Sequence, residues 1–314
     1  MIRWGKTKQN KQRFRCKFCE VSSIKKRPDQ TKRRVEILFE RWLLQTETLE
    51  RLAKHRHTKP SALIQLFKQF WNEKIEPLPY RGNGYCLIVD GLFVGRGYCI
   101  LIAIDSDGVP ITWYSCTKEN TTTWETLFER VKNQGVTTPS LIVSDGQKGL
   151  LKAIDEVFPS VPQQRCMTHV VRLAQAWLTR FPKTVAGREL RTIVSALYSV
   201  TTQGGAENWN KIFNHWCKIH HDFLQEKSIP LGPGRPWFTH RKLRAVRSLI
   251  LGAQKELFTF LSVPNTPKTT NDVEGGLNSP MKALLRHHRG MPPHHREVLV
   301  FRFLRRRQIQ KYQH

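Results

Sequence analysis

Residues 85–146 begin with YCLIVDG and end with SLIVSDG, and this stretch decides the fold. Apolar runs of strand length recur through it and just beyond, and amphipathic segments separate the later runs. The predicted strands cover residues 85–90, 97–105, 109–116, 140–146 and 161–166, and the predicted helices cover residues 121–135 and 146–159. Three consecutive strands followed by alternating helices and strands predict an α/β domain.

This order of elements is that of a ribonuclease H-like domain, in which the first and fourth strands lie side by side. Asp90 and Asp145 each end one of these two strands, so we expect them to meet at neighbouring strand tips. An Asp-Gly pair after a strand is also typical of a plain turn. We interpret Asp105 and Asp107 as such a turn, between the second and third strands, and the strand order distinguishes Asp90 and Asp145 from them.

The charge of the chain predicts a polyanionic partner. Fifty-two Lys and Arg stand against twenty-five Asp and Glu, which gives a formal net charge of +27. Residues 1–34 contain thirteen Lys or Arg, and residues 281–314 contain nine, with few acidic residues in either segment. No apolar run approaches the roughly 18 residues that span a bilayer. The composition therefore favours DNA over a membrane as the partner.

Seven cysteines and the absence of secretory features predict a reducing compartment. We therefore expect a cytoplasmic, nucleoid-associated protein. The hydrophobic fraction of 39% predicts a globular protein with a substantial core, which excludes a disordered tail.

The first 30 residues contain Cys16 and Cys19, whose spacing is that of half a zinc site. A structural zinc site needs four ligands, and no second pair is evident nearby, although His55 and His57 could be nominated. The alternative interpretation is two free cysteines, so a zinc ion here is a hypothesis only. Arg13 and Arg15 in the same segment are candidate DNA contacts.

Residues 31–75 carry apolar residues at helical spacing, in short helices separated by tight turns. On a basic background this pattern predicts a helix-turn-helix-like DNA-binding region, with Lys68 as a candidate contact. Any small helical bundle gives the same pattern. Residues 76–84, which read EPLPYRGNG, are predicted to be a linker.

Three motifs in order resemble the bacterial insertion-sequence transposases related to Mutator elements. They read SDGQKGLLKAI at 144–154, FPSVPQQRCMTH at 158–169 and TTNDVEGGLNSPMKALLRHHRG at 269–290. The last resembles the subgroup with an N-terminal zinc-binding ribbon. Similar proteins have an earlier cysteine pair, whereas Met1 falls inside the ribbon here, so we expect that either the true start lies upstream or the ribbon is truncated.

The resemblance implies a catalytic triad of Asp90, Asp145 and Glu274. Such carboxylates hold two Mg²⁺ or Mn²⁺ ions roughly 3.5–4 Å apart for phosphodiester cleavage and strand transfer. Glu274 depends mainly on the resemblance, because no spacing rule selects it.

Four other residues are predicted to lie close to this centre. Cys166 and His169 match the C-x2-H motif of the family, and we expect them to pack or hydrogen-bond beside the metal ions without forming a zinc site. A purely structural role is an equal alternative for both. Asn271 and Asn278 flank Glu274 and would share its helical face. A helix N-cap is an equal alternative for Asn271.

The domain prediction places the catalytic core in residues 84–180 and 269–314, the second part with basic C-terminal helices. A helical insertion at 181–268 separates the two parts. Core packing is the commoner role for the tryptophans of the insertion, and Trp237 is the best candidate for exposure. Candidate DNA contacts in these regions are Arg235, Trp237, Arg286 and Arg289.

The predicted function is that of a DNA transposase, which binds terminal inverted repeats and target DNA as a dimer or higher oligomer. A non-mobile nuclease of the same fold and a domesticated DNA-binding protein are the alternatives. The long insertion argues against the nuclease. An intact catalytic triad argues against the domesticated DNA-binding protein, because a protein without catalytic activity would tolerate the loss of a carboxylate.

Overall fold

The computed structural model describes residues 1–24, 28–82, 86–263, 266–269 and 274–313. The chain forms two units, of which the first comprises residues 1–75 and 284–299 and the second residues 76–283 and 300–314.

The first unit contains a small antiparallel sheet and a helical cluster. The strands are β1 (Ile2–Lys6), β2 (Gln12–Arg15) and β3 (Ser22–Ile24), and the helices are α1 (Pro28–Gln45), α2 (Leu49–His55) and α3 (Pro60–Phe67). Phe39 is fully buried and packs on Phe67 and Phe70, with ring centroids 5.3 and 5.2 Å away. This aromatic core is what the helical spacing of apolar residues in the sequence predicts.

The second unit is built on a five-stranded mixed sheet. Its strands are β4 (Cys86–Gly95), β5 (Tyr98–Asp105), β6 (Pro110–Cys116), β7 (Leu141–Ser144) and β8 (Gln163–Arg165). The strand order is β6-β5-β4-β7-β8, in which β5 is antiparallel to both of its neighbours, β4 and β6, whereas β4, β7 and β8 are parallel. The predicted neighbourhood of the first and fourth strands is confirmed.

The prediction that the first strand ends at Asp90 is wrong. Strand β4 continues to Gly95, because β5 folds back through a turn at Gly97 (φ +66°) and pairs with β4 along its whole length. The parallel neighbour β7 is much shorter and pairs only with residues 86–88. The end of β7 therefore lies beside the middle of β4.

The turn predicted at Asp105 and Asp107 is confirmed. Asp105 is fully buried at the end of β5, and its carboxylate accepts hydrogen bonds from the backbone N–H groups of Asp107 and Val109 and from the hydroxyl of Tyr80. Burial raises the pKa of Asp105. These contacts give the side chain a structural role in the hairpin.

Helices α4 (Thr121–Asn133) and α5 (Lys148–Val157) cover one face of the sheet. Trp124, Leu127, Phe128 and Val131 of α4 are completely buried, as their helical spacing predicts. Asn120 and Thr123 form a capping box that starts α4, and the side chain of Gln147 caps α5.

The residues that follow form a mainly helical region around a second core. Its elements are α6 (Met167–Leu178), α7 (Val185–Ser195), α8 (Gln203–Ile219), α9 (His221–Gln225), β9 (Lys227–Ser228), β10 (Trp237–Phe238) and α10 (Arg241–Ala253). Trp209 and Trp216 are buried, and their indole N–H groups donate to the carbonyls of Ile193 and Ala186. Core packing is thus the role of both.

Two helices, α11 (Ser279–His287) and α12 (Pro293–Tyr312), complete the described chain. Within the second unit, Gln308 of α12 is fully buried and holds the segment that was predicted to be a linker. Its side chain accepts from the N–H of Leu78 at 2.7 Å and donates to the carbonyls of Leu78 and Pro110 at 3.0 and 3.1 Å. No helix in the described ranges is both long and apolar enough to cross a membrane.

Candidate active site

The parallel register of β4 and β7 brings Asp90 and Asp145 to the same point of the sheet. Ile88 lies opposite Val143, so two residues further along Asp90 lies opposite Asp145, just beyond the end of β7. The carboxyl end of a parallel strand is where α/β proteins commonly place ligand-binding residues.

Asp90 is held by two hydrogen bonds. Oδ1 accepts from the N–H of Gly91 at 2.9 Å, and Oδ2 accepts from the side-chain amide of Asn278. Burial raises the pKa of Asp90, and the charge of Asp145 adds to this increase, whereas His169 and Asn278 oppose it. A buried carboxylate next to a like charge is costly without a cation, and such groups are frequent at functional sites.

Asp145 is fixed by the turn that starts α5. Its Oδ1 accepts from the N–H of Gln147 at 2.9 Å, while Gly146 has a φ of +81°. A Cβ at Gly146 would lie 1.7 Å from the guanidinium of Arg165. Arg165 is buried and pairs with Glu256 at 2.8 Å. The position therefore favours glycine for two reasons, which are the positive φ of the turn and the close approach of the buried Arg165 side chain.

Cys166 and His169 lie beside the two aspartates, at the end of β8 and in the first turn of α6. A hydrogen bond between their side chains and the charges of Cys166, Asp90 and Asp145 raise the pKa of His169 to about 9, against the effect of burial. The imidazole therefore lies close enough to both carboxylates for their charges to act on it.

Glu119 is a further carboxylate at this edge, and the sequence analysis missed it. An ideal Cβ on Gly91 would lie 3.2 Å from both Oε atoms of Glu119, so the carboxylate lies against the backbone next to Asp90. Burial and then the charges of Asp145 and Asp90 raise the pKa of Glu119. The position of Glu119 could have been predicted only from the sheet topology. Strand β6 runs parallel to β4, so the loop that follows β6 lies at the same edge of the sheet as Asp145.

The segment predicted to hold the third acidic residue is described only in part. Asn271 lies outside the described residues. Glu274 begins a π-helical turn, Glu274–Asn278, which leads into α11. The side chain of Glu274 lies outside the part of the chain that the structure describes. Asn278 at the end of this turn reaches Asp90, and π-helical turns are frequent at functional sites.

The donor set at this edge suits a hard divalent cation. Carboxylate oxygens from Asp90 and Asp145 converge, and the amide Oδ1 of the buried Asn278 has no hydrogen-bond partner in the described structure. Among the residues described, no three His, Cys, Asp or Glu side chains are already arranged around one metal position. The residues present fit a cation that retains several water molecules, as Mg²⁺ usually does.

Cys16 and Cys19 lie in the turn between β2 and β3. Backbone hydrogen bonds from Cys19 and Phe18 lower the pKa of Cys16, as in thiolate-stabilising turns. Both thiols are free, and the two supply half of the four ligands of a structural zinc site.

The predicted DNA contacts differ in exposure and partners. Arg13 and Arg15 are half-buried in β2, where Arg13 donates to Ser22 and Arg15 pairs with Glu20 at 2.8 Å. Trp237 is 41% exposed, as expected from the sequence. The remaining candidates are exposed: Lys68, Arg235, Arg286 and Arg289.

Comparison with known proteins gives the family of the segment that carries this site. The Mutator family of transposases matches residues 88–226, which include Asp90, Glu119, Asp145, Cys166 and His169.

Individual relatives agree with this match. The transposase for insertion sequence element IS905 of Lactococcus lactis is 29% identical over 164 residues, which are 48% of this chain and 41% of that protein. The transposase for IS406 of Burkholderia multivorans is 30% identical over 149 residues, 45% of this chain and 37% of that protein. The transposase for IS256 of Staphylococcus aureus is 38% identical over 71 residues, 23% of this chain and 18% of that protein. Each match thus spans less than half of the relative. Residues 88–226 of this chain are thus similar to the Mutator family of transposases.

Proposed function

We propose that the chain is a DNA transposase that cleaves DNA and transfers strands at the ends of an insertion sequence. The observation that carries the proposal is the register of β4 and β7, which puts Asp90 opposite Asp145 within the family segment. The large positive charge supports DNA as the substrate. Terminal inverted repeats and target DNA are the proposed partners, bound by at least a dimer because two ends must be held together.

The fold supports a ribonuclease H-like assignment for the catalytic core. Three antiparallel strands, then two strands parallel to the first, in the order β6-β5-β4-β7-β8, agree with that architecture. We propose the helical region at 181–268 as an insertion, and residues 269–314 as the last part of the core. Residues 31–75 are proposed as the DNA-binding helices, preceded at 1–30 by the three-stranded sheet that carries Cys16 and Cys19.

Asp90, Asp145 and Glu274 are proposed to bind two Mg²⁺ or Mn²⁺ ions, which would activate the oxygen nucleophile and stabilise the leaving oxygen. Asn278 would orient Asp90 through its amide, and Gln147 would orient Asp145 through its N–H. His169 lies beside both aspartates, whose charges raise the pKa of its imidazole. A water or a 3′-hydroxyl attacks the scissile phosphorus, and the opposite P–O bond breaks with release of a hydroxyl end.

Zinc remains a proposal for Cys16 and Cys19, which need two further ligands. The proposed DNA contacts are Arg13, Arg15, Lys68, Arg235, Trp237, Arg286 and Arg289. Asn271 is proposed to be a neighbour of the active site.

A strand-transfer assay tests the function. The purified chain is incubated with Mg²⁺, a labelled inverted-repeat duplex from the flanks of its own reading frame, and a target plasmid. We expect cleavage and joining that Asp145→Asn reduces by at least about 10³-fold. Asp155→Asn, at an exposed position of α5, is the matched control and should retain activity.

The alternatives give different outcomes in the same assay. Cleavage of any duplex without joining would indicate a nuclease. Specific binding of the repeat without cleavage would indicate a DNA-binding descendant. Unchanged cleavage and joining by Asp145→Asn would refute the assignment of the active site.

A further inference from the structure

We propose that Glu119 is an additional carboxylate of the active centre, which binds the divalent cation together with Asp90 and Asp145, directly or through one bound water. The inference rests on the proposed function, because it assumes that Asp90 and Asp145 hold this cation.

The position of Glu119 is fixed by its neighbours on both sides. It precedes Asn120, the capping residue of α4, and its backbone carbonyl accepts from the side-chain amide of Gln147 at 3.3 Å. The N–H of the same Gln147 bonds Asp145. Gln147 therefore ties the loop of Glu119 to the turn of Asp145, and the two carboxylates are positioned by one residue.

The side chain of Glu119 points toward the centre and not into solvent. Its Oε atoms lie against Gly91, which is next to Asp90, and a Cβ at position 91 would lie only 3.2 Å from them, so Glu119 would have to shift to admit a larger residue. This contact explains why a glycine follows Asp90 although the chain makes no turn there. Glu119 is also half-buried, and both aspartates act on its charge.

Two buried polar groups near these carboxylates have no regular partner in the described chain. The indole Nε1 of Trp124, which is fully buried, makes no hydrogen bond of ordinary geometry, yet Trp124 lowers the pKa of Glu119. The Oδ1 of Asn278 is likewise buried and unpartnered beside Asp90. Buried polar atoms usually have partners, so the orphan oxygen of Asn278 indicates space for a missing species.

The charges indicate which species is missing. The negative charges of Asp90, Asp145 and Glu119 act on one another, although the described carboxylates are not already arranged around one metal position. A hydrated divalent cation would neutralise the excess negative charge and satisfy the orphan oxygen of Asn278. Glu119 reaches the site from the third strand, so it would bind from the side opposite to β7.

The test is Mn²⁺ binding to the metal-free full-length chain without DNA, measured by the electron paramagnetic resonance signal of free Mn²⁺. We expect Asp145→Asn and Glu119→Gln each to weaken binding by about 10-fold or more. The matched control is Glu129→Gln, because Glu129 lies exposed on α4 and pairs only with Lys132 in the described contacts. It should bind within about 2-fold of the unchanged chain.

Thermal unfolding without metal separates this role from a structural one. Loss of one of three like charges should leave the melting temperature of Glu119→Gln unchanged or higher. A role confined to packing predicts a lower melting temperature and unchanged Mn²⁺ binding. Glu119→Asp retains the charge with a shorter reach and should bind with intermediate affinity, which keeps the test informative if Glu119→Gln folds poorly.

The outcomes distinguish the two proposals. Weaker binding by Asp145→Asn together with normal binding by Glu119→Gln would overturn the role of Glu119 and leave the proposed function intact. Normal binding by both variants would overturn both.

Discussion

The side-chain amide of Asn278 donates a hydrogen bond to Oδ2 of Asp90, although 188 residues separate the two in the sequence. Asn278 ends the π-helical turn that begins at Glu274, so this bond fastens the segment of the third predicted acidic residue to the central strand. A neutral amide orients the carboxylate without neutralising it, which leaves Asp90 able to bind a cation.

Removal of this amide should impair catalysis more than folding. We expect Asn278→Ala to reduce DNA cleavage by about 10- to 100-fold, because groups that orient metal ligands commonly have effects of this size. The control is Asn214→Ala, on an exposed position of α8. Cleavage rates at saturating Mg²⁺ and melting temperatures of both variants check this expectation. Equal activity of the two variants would contradict it.

Gln147 should matter twice, as a helix cap and as a link between Asp145 and Glu119. Gln147→Ala should lower the free energy of unfolding by about 1 kcal/mol, since the bond from the N–H of Leu150 to Oε1 is lost. Gln147→Glu retains that acceptor but cannot donate to the carbonyl of Glu119. Urea unfolding should therefore show a smaller loss for Gln147→Glu, while both variants cleave DNA more slowly. Full activity of Gln147→Glu would show that the link to Glu119 is dispensable.

Gly146 and Gly97 form a matched pair for backbone strain. Both have positive φ, but a Cβ at Gly97 meets nothing within 4 Å, whereas at Gly146 it would collide with Arg165. We expect Gly97→Ala to cost about 1–2 kcal/mol of unfolding free energy. Gly146→Ala should cost at least about 3 kcal/mol, because it also displaces Arg165 from Glu256. Denaturant unfolding of both variants measures the difference, and equal costs would refute the packing explanation.

The first unit should lose stability as the pH falls. Burial lowers the pKa of His288, whose Nε2 lies 3.1 Å from the carbonyl of Leu43, and burial also lowers the pKa of His295. Because the folded pKa lies below the unfolded value of about 6.5, the unfolded chain binds protons first. Stability is then complete above pH 7 and decreases as the pH falls through 6.5.

Urea unfolding at pH 7.5 and 5.5 tests this dependence. His288→Gln retains a hydrogen-bond donor without a titratable group, so its stability should depend less on pH. The control is His55→Gln, at an exposed position of α2, which should retain the original dependence. The same pH dependence in both variants would exclude His288 as a source.

The strand order was predictable because each apolar run ends at a recognisable turn and the two parallel crossovers contain helices long enough to return the chain. The extent of β4 was not, since Gly91 reads as a turn residue after Asp90. Its small size instead makes room for Glu119. A local pattern cannot show that a glycine is required by a side chain from another element.

Glu119 was missed for a related reason. Asp90 and Asp145 follow strand residues directly, whereas Glu119 lies three residues after β6, beside a helix cap. Only the direction of β6 relative to β4 places that loop at the catalytic edge. Trp237, by contrast, was predictable as exposed because its surroundings are rich in Gly, Pro and Arg.

The buried Gln308 bears on the order in which the protein is made and folded. The hydrogen bonds that hold the segment around Leu78 and the start of β6 at Pro110 need the side chain of Gln308. This residue is synthesised about 200 residues after β6. A nascent chain on the ribosome would therefore contain both Asp90 and Asp145 long before the hydrogen bonds of Gln308 to the sheet and to the segment around Leu78 can form. Catalytic competence should then arise only after the polypeptide through Gln308 has emerged, which would keep prematurely terminated products from cutting DNA.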